Sequence, residues 1–411
     1  MNKEMSAAPV IRLIHSIPVK RERRKKRIES IDLLRGVVML LMALDHVRGY
    51  FHYDAFYYNP TDLTQTNVPL FLTRFITHYC APVFVFLAGI SAFLNGTKRS
   101  KRELSVYLFT RGLWLVFAEL FIIILGRTFN PAYPMINLQV IWAIGIAMIV
   151  LSAMIHLKNH WILLSAVLLI SGHNLLDRVH INGTGSFLWS LLHEPNRFTA
   201  GNFTIFVAYP ILPWLGILTF GYWFGYLYQP RYKESKRRKA LIITGSAFVA
   251  LFLLLRASNL YGDSSHWAVQ EKAAFTLLSF FNVTKYPPSL LYSLITLGPA
   301  MIFLAFAEKP LNSLSSKIAV IGRVPFFYYV VHIYVIHLLA VAAAVMTGFH
   351  WTSMILTKHI NNEESLKGYG FNLITVYNIW IALIFILYPF CEWFDHYKRK
   401  HQSKKRWLTY L

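Results

Sequence analysis

The feature that most constrains the fold is a succession of hydrophobic stretches along nearly the whole chain of 411 residues. An apolar stretch of about 20 residues is long enough to cross a bilayer as a helix. Hydrophobic residues make up 55% of the chain and the mean hydropathy is +0.43. Because a water-soluble domain of this size cannot bury so much apolar surface, the sequence predicts an all-α polytopic membrane protein.

The hydropathy pattern predicts a bundle of about ten transmembrane helices and leaves no separate soluble domain. Their approximate bounds are 31–51, 76–95, 105–126, 136–156, 161–176, 203–228, 240–257, 287–307, 318–346 and 371–394. The predicted organisation is a basic N-terminal segment (1–27), a transmembrane domain (28–396) and a basic tail (397–411). No cleavage site follows the first span, which is therefore interpreted as a retained signal anchor.

The net charge of +22 comes largely from short basic runs beside the spans, at 21–27, 98–102, 233–239 and near the C-terminus. Such runs are typical of the cytoplasmic flanks of membrane helices, where they also attract anionic lipid. Both termini are accordingly predicted to be cytoplasmic. No nucleic-acid-binding motif accompanies the charge, so the expected partner is the lipid bilayer rather than a nucleic acid.

The two cysteines, Cys80 and Cys391, are predicted to lie near opposite membrane faces. A hydrocarbon core is about 30 Å thick, whereas the Cα atoms of a disulfide lie within about 7 Å. Two free thiols are expected.

The first span carries polar residues on one helical face. Asp32, Arg35, Met39, Met42 and His46 follow one another at intervals of three or four residues, the spacing that aligns side chains along a helix. Asp32 and Arg35 are placed to pair across one turn. His46 lies fourteen residues beyond Asp32, about 21 Å along the axis, near the outer side.

Two interpretations of this face stay open. Charged side chains inside a bilayer usually face a bundle interior or a water-filled cavity, yet Asp32 and Arg35 could also form a structural ion pair at the membrane interface. Asp45 points to another face, so an imidazole that it orients is expected on another helix. His78, at the outer end of the second span, is expected near His46.

Several segments resemble a known family. The residues I-D-L-L-R-G-V-V-M-L-L-M-A-L-D-H, then H-Y-C-A-P-V-F-V-F-L-A-G-I-S-A-F, and later G-R-V-P-F-F-Y-Y-V-V-H-I-Y-V-I-H resemble the catalytic domain of heparan-alpha-glucosaminide N-acetyltransferases. The resemblance covers almost the whole chain from Ile28 and is closer to the bacterial membrane proteins grouped with that domain. It implies a location in the bacterial inner (plasma) membrane, and a homodimer is compatible with it.

The resemblance implies a membrane acyltransferase. Acetyl-CoA would be the acyl donor, bound from the cytoplasm, and the acetyl group would pass to a glycan or amino-sugar acceptor on the outer side. The lysosomal enzymes depend on a histidine in their early luminal part, for which His46 and His78 are the candidates, with Asp45 as a residue that orients an imidazole. Asp32 and Arg35 would then bind the cofactor.

Further residues are assigned to the acceptor. His332, in the ninth predicted span, corresponds to the family's histidine in this helix. Tyr286 belongs to a Tyr-Pro-Pro-Ser segment expected to break a helix and line the acceptor pocket, because freed backbone groups need protein or a cavity beside them. Asn196 and Arg197, in an outer loop, could hold a sugar or an anionic group.

Other functions are weighed against acyl transfer. A secondary transporter fits the intramembrane charges and proline-broken helices, although the two halves show no inverted repeat, and a non-catalytic scaffold is a further alternative. His337 and the intramembrane Glu119 are weaker site candidates. No spacing typical of a metal site is present, so no metal is predicted.

Overall fold

The computed structural model describes residues 28–402 and 404–409, which fold almost entirely into helices. The first half contains α1 Glu29–Phe51, α2 Val68–Thr77, α3 Cys80–Gly96, α4 Lys101–Phe117, α5 Ile124–Thr128, α6 Val140–Met154, α7 Asn159–Gly172 and α8 Ser186–Leu192. The second half contains α9 Ile211–Phe224, α10 Glu234–Ser258, α11 Ala273–Phe281, α12 Leu290–Phe306, α13 Ser313–Arg323, α14 Pro325–Met346 and α15 Leu373–His401. The predicted basic segment 1–27 lies outside the described residues.

Five helical segments are long and apolar enough to cross a bilayer, and the chain is accordingly an integral membrane protein. They are Val68–Gly96, Lys101–Thr128, Glu234–Ser258, Pro325–Met346 and Leu373–His401. α6 and α12 are apolar but shorter. α1 has 23 residues but carries Asp32, Arg35, Asp45 and Arg48. The count of ten spans, and the side on which the termini lie, therefore stay predictions.

Several of the predicted spans have different bounds in the structure, and two of them illustrate the causes. The span predicted at 203–228 begins with a strand, and its helix, α9, starts only at Ile211. The span predicted at 318–346 is interrupted at Val324, which separates α13 from α14. Pro325 explains the interruption, because proline disfavours helical geometry in the residue before it and lacks an N–H for the preceding turn.

A three-stranded sheet corrects the expectation of an all-helical fold. β1 (Met135–Leu138) pairs in parallel with β3 (Phe203–Val207), which pairs antiparallel with β2 (Asn196–Ala200). Gly201, with φ of +57°, lies in the turn between β2 and β3, a conformation that glycine adopts readily. β1 and β3 lead closely into α6 and α9, so hydropathy alone merges these short apolar strands with the spans that follow.

α1 lies in the interior and packs closely on α13. A Cβ atom on Gly36 would overlap the backbone carbonyl of Ile318, and one on Gly322 would overlap that of Asp32. The same holds where α3 crosses α9, since a Cβ on Gly89 would overlap the carbonyl of Leu218. Small residues at such crossings let helix backbones approach within a membrane.

Both cysteines are buried and free, as predicted. The Cys80 thiol donates a hydrogen bond to the carbonyl of Val38, at 3.3 Å, and so joins α3 to α1. Each thiol is therefore a packing residue of the bundle.

Candidate active site

Two cavities lie along α1. The first, here called the Arg35 cavity, has a volume of about 270 Å³ and lies beside the N-terminal half of α1. The second, the His46 cavity, has a volume of about 520 Å³ and lies beside its C-terminal half. Four residues line both cavities: Met42, Phe84, Val140 and Tyr329. The cavities therefore abut, and these side chains form the wall that they share.

Arg35 is held firmly at the edge of the first cavity. Its guanidinium donates to Ser91 Oγ at 2.8 Å and to the carbonyl of Gly322 at 3.1 Å, and it pairs with Asp32 at 3.3 Å. The predicted i,i+3 pair is confirmed. Because Asp32 is buried, the pair also fixes the direction in which Arg35 points.

Three further cations line the Arg35 cavity: Arg111, Arg323 and Lys398. They come from α4, α13 and α15, and Arg323 is paired with Asp395 at 2.8 Å. The sequence analysis missed them as site residues, because they lie far apart in the chain and only the folded bundle brings them together with Arg35.

His46 lines the second cavity and forms a pair with His332. Nδ1 of His46 lies 2.8 Å from Nε2 of His332, and the two rings are nearly parallel at an interplanar angle of 8°. His332 is completely buried, and its Nδ1 lies 2.9 Å from the carbonyl oxygen of Tyr328. His332 lines neither cavity, so it reaches the site only through His46.

These contacts determine where the protons lie on the two neutral rings. The carbonyl of Tyr328 can only accept, so Nδ1 of His332 must carry a proton and Nε2 must be a lone pair. His46 consequently donates from Nδ1, and its own Nε2 is left unprotonated. The hydrogen-bond partners thus assign a basic nitrogen to the imidazole that lines the cavity.

Asp45 binds cations instead of an imidazole. It accepts two hydrogen bonds from Arg74, at 2.6 and 2.7 Å, one from Arg48 at 3.0 Å and one from Thr77 at 3.1 Å. Asp45 was expected to orient an imidazole, but the side chain that contacts the imidazole of His46 is His332. Asp45 lines the His46 cavity together with both arginines.

His78 lies apart from His46. It is buried against the ring of Tyr292, with centroids 5.7 Å apart, and its backbone carbonyl accepts from the hydroxyl of Tyr292 at 2.7 Å. His78 is absent from the described residues that line the two cavities. The expected meeting of His78 with His46 is therefore not observed, since His78 sits at the junction of α2 and α3 and turns toward α12.

Of the four residues predicted for the acceptor, His332 lines neither cavity and contacts His46 instead. The other three separate into two groups. Tyr286 lines the His46 cavity, and its role in binding an acceptor stays a prediction. Asn196 and Arg197 lie on β2 and do not line it, although the Arg197 guanidinium lies over the ring of Phe206, which does, at 5.5 Å. β2 therefore lies behind the residues that line the His46 cavity.

The loops add residues that the sequence analysis missed. Lys285 and His359 line the His46 cavity, and both lie outside the helices. Burial, together with the charges of Arg127 and Arg197, lowers the pKa of His359 to about 4, so this ring is neutral at physiological pH. A histidine in a loop carries no sequence signal of this role.

Two other candidates have structural contacts. His337 is buried, with Nδ1 3.0 Å from the carbonyl of Gly126 and Nε2 2.7 Å from that of Met354. Glu119 lies in a π-helical turn, Ala118–Ile123, and accepts from the backbone amides of Ile141 and Trp142 at 3.1 and 3.2 Å. It thus caps the N-terminus of α6.

A comparison with known families identifies the family of this chain. Residues 27–262, more than half of the chain, match the family described as heparan-alpha-glucosaminide N-acetyltransferase, catalytic. The fold and this match define a membrane-embedded enzyme of the acetyltransferase class. Within that class, the chain belongs to the heparan-alpha-glucosaminide N-acetyltransferase catalytic-domain family, which confirms the resemblance seen in the sequence. No curated protein is found to match the chain.

The matched segment contains Arg35, Asp45 and His46 but ends before Lys285 and His332. Among residues 28–402 and 404–409, no group of three or more potential metal ligands lies together.

Proposed function

We propose that the protein transfers an acetyl group from acetyl-CoA, bound in the Arg35 cavity, to a glycan or amino-sugar acceptor in the His46 cavity. One observation carries this proposal: the two cavities abut along α1, and His46, with its unprotonated nitrogen, lines the second beside their common wall. The family match supports the choice of an acetyl group and of acetyl-CoA.

The charge of the Arg35 cavity suits the donor. Arg35, Arg111, Arg323 and Lys398 provide cations for the phosphate groups of coenzyme A, which guanidinium groups bind with paired hydrogen bonds. Asn95, at the end of α3, also lines this cavity, and the basic run 98–102 follows it directly. By the positive-inside rule this end of the bundle is cytoplasmic, and the His46 cavity then faces the opposite side.

The pantetheine arm would extend past Met39 and Met42, both of which line the Arg35 cavity, and bring the thioester to the common wall. From Arg35 to His46 the helix rises about 17 Å, a distance of the order of that arm. The acetyl carbonyl would enter the His46 cavity while the nucleotide stays in the Arg35 cavity.

Nε2 of His46 would act as a general base. It takes a proton from the acceptor amine or hydroxyl as that group attacks the thioester carbonyl, the carbon–sulfur bond breaks, and the proton passes to the departing thiolate. The products are the acetylated acceptor and free coenzyme A. His332 is a positioning residue, because it keeps the proton of His46 on Nδ1. Attack by Nε2 itself, through an acetyl-histidine, is the alternative route.

The test uses purified protein in detergent, labelled acetyl-CoA, and either glucosamine or a mixture of cell-envelope glycans. We expect label on the acceptor with the wild type and its loss in His46→Ala. His160→Ala, a change of an exposed histidine at the start of α7, is the matched control and should retain activity. Failure to label any acceptor, or equal labelling by His46→Ala, would contradict the proposal.

A secondary transporter is the second candidate, because cavities at the two ends of a charged first helix also suit alternating access. Uptake of a solute into vesicles that contain no acyl donor would favour it. Acetylation without such uptake would favour the transferase.

A further inference from the structure

Acetyl transfer from a thioester passes through a tetrahedral intermediate, in which the carbonyl oxygen becomes an oxyanion. Enzymes stabilise this charge with hydrogen-bond donors that are already held in place before the reaction begins. The proposed reaction brings the thioester carbonyl to the common wall of the two cavities. A donor for the oxyanion must therefore lie beside this wall, on the side of His46, and must have N–H groups that no other residue uses.

The cations of the His46 cavity differ in their partners. Those among the described lining residues are Arg48, Arg74, Arg127 and Lys285. The first two bind the carboxylate of Asp45. The ammonium of Lys285 lies beside Tyr286, 5.2 Å from the ring centre. Arg127 is the one whose hydrogen bond goes to a residue of the common wall, because it donates to the hydroxyl of Tyr329 at 3.1 Å.

Two helices fix the position of Arg127. Its side chain donates to Tyr329 of α14, and its backbone carbonyl accepts from the hydroxyl of Tyr50 on α1, at 2.5 Å. Tyr50 lies four residues after His46, which is about one helical turn. The ring of His46 also approaches that of Tyr329, at an angle of 75° and with centroids 6.4 Å apart. The guanidinium and the imidazole thus lie around the same tyrosine of the wall.

The helix that carries Arg127 is distorted just before this residue. The π-helical turn Ala118–Ile123 joins α4 to α5, and the extra residue of such a turn changes which face the following residues present. α5 ends at Thr128, and Phe129 leaves the helix with φ of +49°. Arg127 therefore lies in the last turn of a helix, where it lines the cavity.

The guanidinium of Arg127 has unused donors. Within the described part of the chain its hydrogen bond goes to Tyr329, and its buried Nε has no acceptor. Buried donors without a partner are rare in folded proteins. Glu119 precedes Arg127 in the same membrane span, but it accepts from the backbone amides of Ile141 and Trp142 and forms no direct ion pair with Arg127. These donors are consequently available to a group in the cavity.

We propose that Arg127 stabilises the oxyanion that forms from the thioester carbonyl during acetyl transfer. This inference rests on the proposed function and adds a catalytic residue to it. As the acceptor attacks, the π electrons of the carbonyl move to its oxygen, which accepts hydrogen bonds from Arg127. When the carbon–sulfur bond breaks, the carbonyl forms again and His46 gives its proton to the thiolate. A guanidinium stays protonated in proteins, so Arg127 stabilises charge and transfers no proton.

The test uses purified full-length protein, labelled acetyl-CoA and the acceptor that the wild type labels. Loss of one oxyanion donor lowers kcat by about 100-fold or more, and we expect this loss in Arg127→Gln with little change in KM for either substrate. Arg178→Gln, a change of an exposed arginine in the connection after α7, is the matched control and should keep the wild-type kcat. Thermal unfolding in detergent checks that each variant is folded.

Arg127→Lys is a second variant that retains the charge near Glu119. Its single ammonium does not reproduce the planar fork of a guanidinium, so its kcat should lie between those of the wild type and Arg127→Gln. It takes the place of the glutamine variant if that protein does not fold, and a wild-type kcat in it would then contradict the inference.

Chemical rescue separates stabilisation of charge from packing. In Arg127→Ala, added guanidinium ion should raise kcat, whereas urea, which is similar in shape but neutral, should not. A wild-type kcat in folded Arg127→Gln, a loss confined to KM, or equal effects of the two compounds would overturn the inference and leave the proposed function intact. Absence of acetyl transfer by the wild type would overturn both.

Discussion

The carbonyl oxygen of Tyr328 accepts a hydrogen bond from His332, and this contact sets the protonation of two imidazoles in succession. A buried ring that can only donate at one nitrogen must accept at the other while it is neutral. His46 therefore presents a lone pair at Nε2, as a base or nucleophile requires. The account thus depends on His332 as an acceptor rather than as a charged group.

Replacing His332 tests this dependence. In His332→Phe the acceptor for Nδ1 of His46 is lost, the other tautomer becomes accessible, and we expect kcat to fall by about 100-fold or more with little change in KM. His332→Gln offers a carbonyl oxygen in place of Nε2 and should recover part of the loss. Loss of the correct tautomer costs about 10⁴-fold in serine proteases. Steady-state acetylation kinetics measure both variants.

Thermal unfolding of each variant controls for misfolding. Equal kcat values for the phenylalanine and glutamine variants, both folded, would show that His332 only fills space. A change confined to KM would instead assign His332 to substrate binding.

Tyr286 gives a prediction of pH dependence. Tyr286 is 40% exposed, but the surrounding protein still desolvates its phenol, which raises the pKa. The ammonium of Lys285, the guanidinium of Arg74 and the hydrogen bond with Tyr209 together outweigh this effect and bring the pKa of Tyr286 down to about 8. Phenolate should therefore form as the pH rises through 8, about two units below the ordinary tyrosine value. Absorbance at about 295 nm should show this step in the wild type, and Tyr286→Phe should remove it.

Lys285→Gln should move the same step to higher pH, because it removes the cation that favours phenolate. Superimposable titrations of wild type and Tyr286→Phe below pH 9 would contradict the assignment.

Among the elements, α1 was the most predictable from sequence. Its three- and four-residue spacing correctly predicted the Asp32–Arg35 pair. In the structure, Arg35 and His46, which the spacing places on one face, line two different cavities. His332 was predicted as a site residue, but its contact with His46 was not. Lys285 and Lys398 were not predicted, because they come from distant segments that only the folded bundle brings to the cavities beside α1. Spacing specifies one helical face, whereas tertiary packing decides what that face meets.

The crossing of α1 with α13 provides an element-scale prediction. Gly36→Ala places a methyl group against the carbonyl of Ile318, so the helices must separate, and overpacking of this kind costs about 1–3 kcal/mol. The thermal unfolding temperature in detergent should fall.

Gly49→Ala on the same helix is the matched control, since no atom lies within 4 Å of the added Cβ. Alanine is the better helix former, so the control should equal or slightly exceed the wild type in stability. Equal stability of both variants would show that α1 and α13 do not pack this closely.

At the scale of the whole molecule, hydropathy correctly predicted a helical membrane protein and two free thiols. It did not predict the sheet β1–β3–β2, because short apolar strands look like the ends of spans, nor the interruption at Val324. Nor did the sequence predict that two separate cavities lie beside α1. Their common wall, Met42, Phe84, Val140 and Tyr329, arises from three-dimensional packing that no local pattern encodes.

The most direct test follows from the common wall of the two cavities. The proposed reaction requires the donor and the acceptor to stay on opposite sides of this wall. The protein is reconstituted into sealed vesicles that enclose an amino sugar, and labelled acetyl-CoA is added outside. Neither compound can cross the bilayer by itself. The account predicts labelled, acetylated sugar inside the vesicles, and none with His46→Ala. Acetylation that occurs only when donor and acceptor share one compartment would contradict it.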